Sequence, residues 1–122
     1  YRPLRAPRHE TRLVRGLKHR LTWWGEPTET PIVLLHGFQD CGDTWQFLVD
    51  CLPDTWSCVA PDWRGFGGSG WAPDGYWFPD YLADLEALLD SLVPLGLHVF
   101  AIDVVECNGP VVDAVSFRRA TR

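Results

Sequence analysis

The stretch Asp62-Trp63-Arg64-Gly65-Phe66-Gly67-Gly68-Ser69-Gly70 contains a Gly65-x-Gly67-x-x-Gly70 pattern. Glycines at that spacing can cradle a pyrophosphate, provided the last of them opens a helix whose N–H groups face the phosphates. Here Gly70 is followed by Trp71-Ala72-Pro73-Asp74-Gly75, and a helical pattern starts only near Phe78. The loop also follows the second buried strand of the chain, where the fingerprint belongs to the first. Glu86 and Asp90 lie at the distance of a ribose-binding acid, but within a helical pattern and not at a strand end. The residues do not favour nucleotide binding.

Groups for nucleophilic chemistry are sparse. Beyond residue 90 the serines are Ser91, inside a helical pattern, and Ser116, and neither has flanking glycines. Cys107 in Val-Val-Glu-Cys-Asn-Gly-Pro has Gly109 two residues on, but no histidine follows it to act as base. Cys107 therefore reads as a buried or incidental thiol. The cysteines at 41, 51, 58 and 107 form no C-x-x-C and no zinc spacing with the histidines at 9, 19, 36 and 98. Cys51 and Cys58 fall in apolar runs, which suggests reduced, buried thiols and a cytoplasmic protein. No metal or organic cofactor is implied.

The elements that must position these residues follow from periodicity. Residues 1–10, rich in Pro and Arg, read as a loose lead-in. Thr11 to Glu26 alternate roughly between apolar and polar around Gly16, which suits two antiparallel strands. Ile32–Leu35 is a continuous apolar run, the mark of a strand covered on both faces. Asp43 with Gln46 three residues on reads as a capping box for a helix carrying Trp45, Leu48, Val49 and Leu52 on one stripe and ending at Pro53. Trp56–Ala60 reads as the next buried strand. A second helix is expected over Phe78–Leu92, with Pro79 and Asp80 in its first turn and Leu82, Leu85, Leu88, Leu89 and Leu92 on its buried face. Leu97–Val105 is a candidate third strand. Strands alternating with helices imply an α/β fold with a parallel sheet.

At 122 residues, 46% hydrophobic and 22% charged, the chain suits one small globular domain. Charge is uneven: residues 1–20 carry a net +6 and residues 21–122 a net −11. A basic arm can meet nucleic acid or an anionic membrane, or serve as a targeting segment. Its basic residues alternate with apolar ones and form no block, so it reads instead as a solvated segment that complements an acidic body, with no nucleic-acid or membrane partner. No apolar run is long enough to span a bilayer.

Two motifs taken together carry a family resemblance. Pro31-Ile-Val-Leu-Leu-His36-Gly37-Phe38 is followed about 25 residues later by Val59-Ala-Pro-Asp62-Trp-Arg64-Gly65-Phe-Gly67-Gly-Ser69-Gly70. Over roughly residues 11–95 the sequence resembles the N-terminal part of the α/β-hydrolase superfamily. The resemblance implies a partial α/β-hydrolase fold: an N-terminal β-hairpin, then alternating parallel strands and helices, truncated before the nucleophile elbow. It implies a single incomplete domain over 1–122, with 96–122 as a divergent tail. By the same resemblance the Phe38 N–H is an oxyanion-hole donor. His36 and Gly37 position that turn, while Asp62, Arg64, Gly65, Gly67 and Ser69 support the glycine loop through local hydrogen bonds.

The resemblance also implies chemistry on a small ester, amide or epoxide. Yet the family's G-x-S-x-G elbow, and the acid and histidine that follow it, are not found here. Composition shifts near residue 95, where tryptophan disappears and valine becomes frequent, as a truncated copy or an altered reading of the gene would produce. A catalytically incompetent form is expected. The alternative is a non-enzymatic binding or assembly module that self-associates through exposed apolar surface. Trp71, Tyr76 and Trp77 suit packing within the loop or core better than a cleft lining.

Overall fold

The computed structural model of the chain describes residues 1–28, 31–92, 99–106 and 110–117, the last two stretches through their backbone and strand pairing. Strand β1 (Arg8–Val14) and strand β2 (Leu17–Trp24) form an antiparallel hairpin. Its turn is made by Arg15 at φ 49 and Gly16 at φ 78. Two left-handed residues match the twist of the flanking strands. The hairpin starts earlier than expected. Residues 8–10, which read as lead-in, pair with 21–23, and Glu10 accepts the indole N–H of Trp23 at 2.9 Å.

Strand β3 (Ile32–Leu35) and strand β4 (Cys58–Pro61) are parallel neighbours, and β4 pairs antiparallel with β2. Strand β5 (Val99–Glu106) adds in parallel to the other side of β3, as the third strand in the expected series. The sheet order is β1-β2-β4-β3-β5-β6. Strand β6 (Pro110–Phe117) was not expected. It pairs antiparallel along the whole of β5, so a strand and not an elbow helix follows residues 107–109. Val111, Val112 and Val115 suit a strand better than a helix. Cys107 itself lies outside the described residues.

Alternation along the strands builds two cores. Leu21, Trp23, Val33, Leu35 and Val59 face helix α2 (Phe78–Leu92), which contributes Leu88, with Leu85, Leu89 and Leu92 packed against the cluster. Trp24, Leu34, Cys58 and Ala60 face Trp45 and Val49 on the opposite side. Those two residues belong to a 3-10 turn (Gly42–Trp45) and a single turn of helix, α1 (Gln46–Val49), where a longer helix was expected.

The expected capping box is not made. The cap position is Cys41, and no side chain caps the turn. The Asp43 carboxylate instead reaches across to His9, Arg20 and Thr22, and the Gln46 amide reaches Trp24. Tertiary partners outcompete the local cap. On α2, Leu82 is exposed and Asp84 is buried in its place, for a reason given below. Strand β4 begins at Cys58 and not at Trp56, which is solvent-exposed, and Cys51 is exposed while Cys58 is buried.

Candidate active-site rim

Strands β3 and β4 run parallel, so His36 and Asp62 leave the sheet at the same carboxyl edge. Ligands of open α/β sheets gather at that edge. Three hydrogen bonds lock the two exits together. The Trp63 backbone N–H donates to His36 Nε2 at 3.0 Å, and the Trp63 indole N–H donates to the His36 carbonyl at 2.8 Å. His36 Nδ1 lies 2.8 Å from the Gly37 carbonyl. A carbonyl can only accept, so this network assigns the ring proton to Nδ1. His36 is buried with both ring nitrogens engaged. It holds a turn.

The turn that follows presents Phe38, 83% exposed, edge-to-face with Phe66 at 5.8 Å. Among the described residues no hydrogen bond consumes the Phe38 N–H. Gln39 adopts φ 61, the left-handed region that a side chain enters at a cost of about 1 kcal/mol or more. No feature of the sequence signals Gln39, because glutamine is not a residue of left-handed turns.

The glycine loop is organised around Asp62, which is fully buried. Its Oδ1 accepts the Gly42 N–H at 2.6 Å, and its Oδ2 accepts the Gly68 N–H at 2.8 Å and Arg20 Nε–H at 2.7 Å. Ser69 Oγ donates to the Asp62 carbonyl at 2.6 Å and accepts the Arg20 N–H at 3.0 Å. At Gly67 (φ 51) a Cβ would sit 2.2 Å from Asp62 Oδ2, and at Gly65 (φ 80) one would sit 2.5 Å from the Tyr76 ring. These glycines make room for a carboxylate and an aromatic ring. A carboxylate already takes up loop N–H groups of the kind that would face a phosphate, which argues against an anion site.

Arg64 departs from the expected local role. Its guanidinium leaves the loop for α2 and grips Asp84 bidentately, Nε to Oδ2 at 2.6 Å and Nη2 to Oδ1 at 2.7 Å. Arg15 adds a bond to Asp84 Oδ1 at 3.1 Å, and His19 Nε2 stands 3.3 Å from Oδ2. Burial pushes the Asp84 carboxyl up, but the Arg64 bonds and the neighbouring positive charges outweigh it and hold the group below its usual range. The bonds to Asp84 likewise hold the Arg64 guanidinium above its usual range. Asp84, Arg20 and Gly42 were not singled out from sequence. The only signal for Asp84 was Arg64 itself, whose charge in a buried loop demands a carboxylate.

The remaining aromatics divide. Tyr76 stacks on Tyr81, ring centroids 6.5 Å apart, and covers Gly65, as packing within the loop required. Trp71 and Trp77 are 81% and 70% exposed, contrary to that expectation. Ser91 lies in α2, donating to the Leu88 carbonyl and accepting from Arg12. Among the described residues no serine or cysteine meets a histidine, no three His, Cys, Asp or Glu side chains form a metal-binding group, and no helix is long and apolar enough to cross a membrane.

Comparison with known proteins agrees with this geometry. The sequence profile described as alpha/beta hydrolase fold matches residues 30–103. A haloalkane dehalogenase 2 of Mycobacterium tuberculosis is 34% identical over 119 residues, covering 93% of this chain and 39% of that protein. A serine hydrolase-like protein of Danio rerio is 41% identical over 71 residues, covering 57% of this chain and 22% of that protein. Among solved structures, the epoxide hydrolase VrEH1 of Vigna radiata superposes with a TM-score of 0.65 at 30% identity, over 80% of this chain and 31% of that one. The chain belongs to the α/β-hydrolase family. It spans well under half the length of each of these relatives.

Proposed function

We propose that this protein belongs to a hydrolytic activity on small ester, amide or epoxide-type substrates, in which the Phe38 N–H receives the negative oxygen of the reaction, and that these 122 residues by themselves do not catalyse it. The observation that carries the reading is the Phe38 N–H, unengaged among the described residues, on a turn fixed by the His36–Trp63 bonds at the carboxyl edge of β3 and β4. A donor fixed before the reaction stabilises an oxyanion without reorganisation. The name of the epoxide hydrolase relative supports the epoxide member of that substrate class. Incompetence rests on the residues present: both ring nitrogens of His36 are engaged, and Ser69 and Ser91 are tied into structural bonds. On this reading Asp62, Arg64, Gly65, Gly67 and Ser69 support the rim and touch no substrate, no cofactor takes part, and the free thiols of Cys41, Cys51 and Cys58 among the described residues fit a cytoplasmic setting.

Mixing the purified chain with a p-nitrophenyl ester tests the second half, with release expected at the rate in buffer alone; a burst equal to the protein concentration overturns it. Titration with butyrate tests the first half. The Phe38 amide resonance is expected to shift while that of Gly75 stays fixed, and a stationary Phe38 signal counts against the donor role. A second reading, a binding or assembly module, is favoured by the exposure of Phe38, Trp71, Trp77 and Phe78. Light scattering that shows a discrete complex with cooperative melting would support it, and nonspecific aggregates would count against it.

A further inference from the structure

The segment that read as a loose lead-in is held. The N–H groups of Leu4 and Arg5 donate to the Asp50 carboxylate at 3.1 and 3.0 Å, and the Tyr1 hydroxyl donates to the same group. Gln46 Nε2 donates to the Arg5 carbonyl at 2.8 Å and to Asp50 Oδ1 at 2.9 Å. The Gln46 amide is buried, and its oxygen accepts the indole N–H of fully buried Trp24 at 2.8 Å. That bond fixes which way the amide points. The Arg5 guanidinium donates to the Trp56 carbonyl at 2.5 Å and lies over Gly25, where a Cβ would come within 2.9 Å of Nη2. The Tyr1 ring packs on Phe47 at 4.7 Å.

We infer that the groove formed by Gln46, Phe47, Asp50, the Trp56 carbonyl and Gly25 is a peptide-binding site for a short, bent basic segment anchored by an arginine, filled here in cis by residues 1–5. The groove reads the segment as a receptor reads a peptide. A carboxylate takes two successive backbone N–H groups, an amide takes the next carbonyl, and a backbone oxygen takes the arginine. None of these bonds joins the sheet, and every partner is more than 40 residues away along the chain. Only Ala6 and Pro7 tie the segment to β1. The charge is complementary: residues 1–5 carry two arginines, Arg2 and Arg5, and with the whole chain at −5 the remainder carries a net −7. A tethered ligand of this kind competes at an effective concentration of about millimolar.

The test uses the full chain and the blocked peptide acetyl-Tyr-Arg-Pro-Leu-Arg-Ala-Pro-amide. Binding is read from the Gln46 side-chain amide and Asp50 backbone resonances. Substitution Arg5→Ala in the protein weakens the resident arm by one charge-assisted hydrogen bond. The peptide is therefore expected to bind that variant about tenfold more tightly than the wild type. A peptide with alanine at its second arginine position is expected to lose binding to the same variant, a comparison that leaves the protein unaltered. In the wild type, the Leu4 and Arg5 amides are expected to exchange with solvent more slowly than in the free peptide. Equal exchange rates, no binding to the Arg5→Ala chain, or equal binding of the two peptides would each overturn the inference. None of these outcomes depends on the hydrolase reading.

Discussion

Substitution Asp84→Asn gives the sharpest test of how the rim is held. The Asp84 carboxylate is 2% exposed and is touched by Arg64, Arg15 and His19. An amide in its place keeps one acceptor but turns an N–H₂ group toward the Arg64 fork. It also leaves a buried guanidinium without its counter-charge. Removing one partner of a buried pair costs about 3–5 kcal/mol. Here Arg64 retains Asp80 at 3.7 Å, and Arg15 retains Asp80 at 3.2 Å, which places the expectation at the low end, about 3 kcal/mol. For a chain of this size that is a fall of about 10 °C in melting temperature.

Urea unfolding followed by tryptophan fluorescence measures the loss, with the exposed Asp54→Asn as control. Adding Arg64→Met to Asp84→Asn is expected to recover part of it, because the penalty lies in the stranded charge. The pH dependence has a definite sign. Asp84 is held below its usual range, so its contribution is complete above the unfolded carboxylate range, about pH 4, and fades as pH falls through the lower folded value. The gap between wild type and Asp84→Asn should therefore narrow in acid. A gap under about 1 kcal/mol at neutral pH, or one that widens in acid, would refute the ion-pair account.

Gly67→Ala drives a Cβ to 2.2 Å from Asp62 Oδ2 at φ 51, whereas Gly75→Ala at φ 97 meets open space. Urea titration should show a loss of at least about 2 kcal/mol for the first and about 1 kcal/mol, from backbone strain alone, for the second. His36→Phe strands the Trp63 N–H, and hydrogen exchange should show that amide exchanging faster, with a stability loss of about 1–3 kcal/mol. Trp24→Phe removes the donor that orients Gln46, so besides costing about 1–3 kcal/mol it should speed exchange at the Leu4 and Arg5 amides, which sit on the same carboxylate as Gln46.

The first five strands and their succession along the chain were legible because period-2 alternation and apolar runs are local signals; the order of strands across the sheet and β6 were not. Ile32–Leu35 read as a covered strand and Phe78–Leu92 as an amphipathic helix, and both formed. What local reading missed was polar side chains with distant partners. Asp43 and Gln46 have the spacing of a helix cap, yet each is claimed by residues 20 or more positions away. Residues 1–5 carry no periodicity and read as loose, because what holds them is Asp50, a residue with no mark of its own in the sequence. Arg64 read as a local brace of the glycine loop, because nothing local said that its carboxylate partner lay on α2. The motif around the rim was readable as a unit because its glycines and its Asp62 must coincide for the loop to close.

That coincidence bears on what the rim can do alone. The bonds that shape the Phe38 turn run between residues 36 and 63, and those that shape the glycine loop run among 20, 42, 62, 68 and 69. All of them lie in the hairpin, β3, β4 and their connections. None needs β5, β6 or anything that follows. A surface that is fixed by a network of its own within residues 20–69 holds its donors in place whether or not a nucleophile faces them. On the proposed reading, oxyanion binding and nucleophilic attack are therefore separable: the Phe38 amide should respond to a carboxylate in a chain that releases no p-nitrophenol. If anion response and turnover instead appear only together, the donor geometry is not set by residues 20–69, and the self-sufficiency of the rim is refuted.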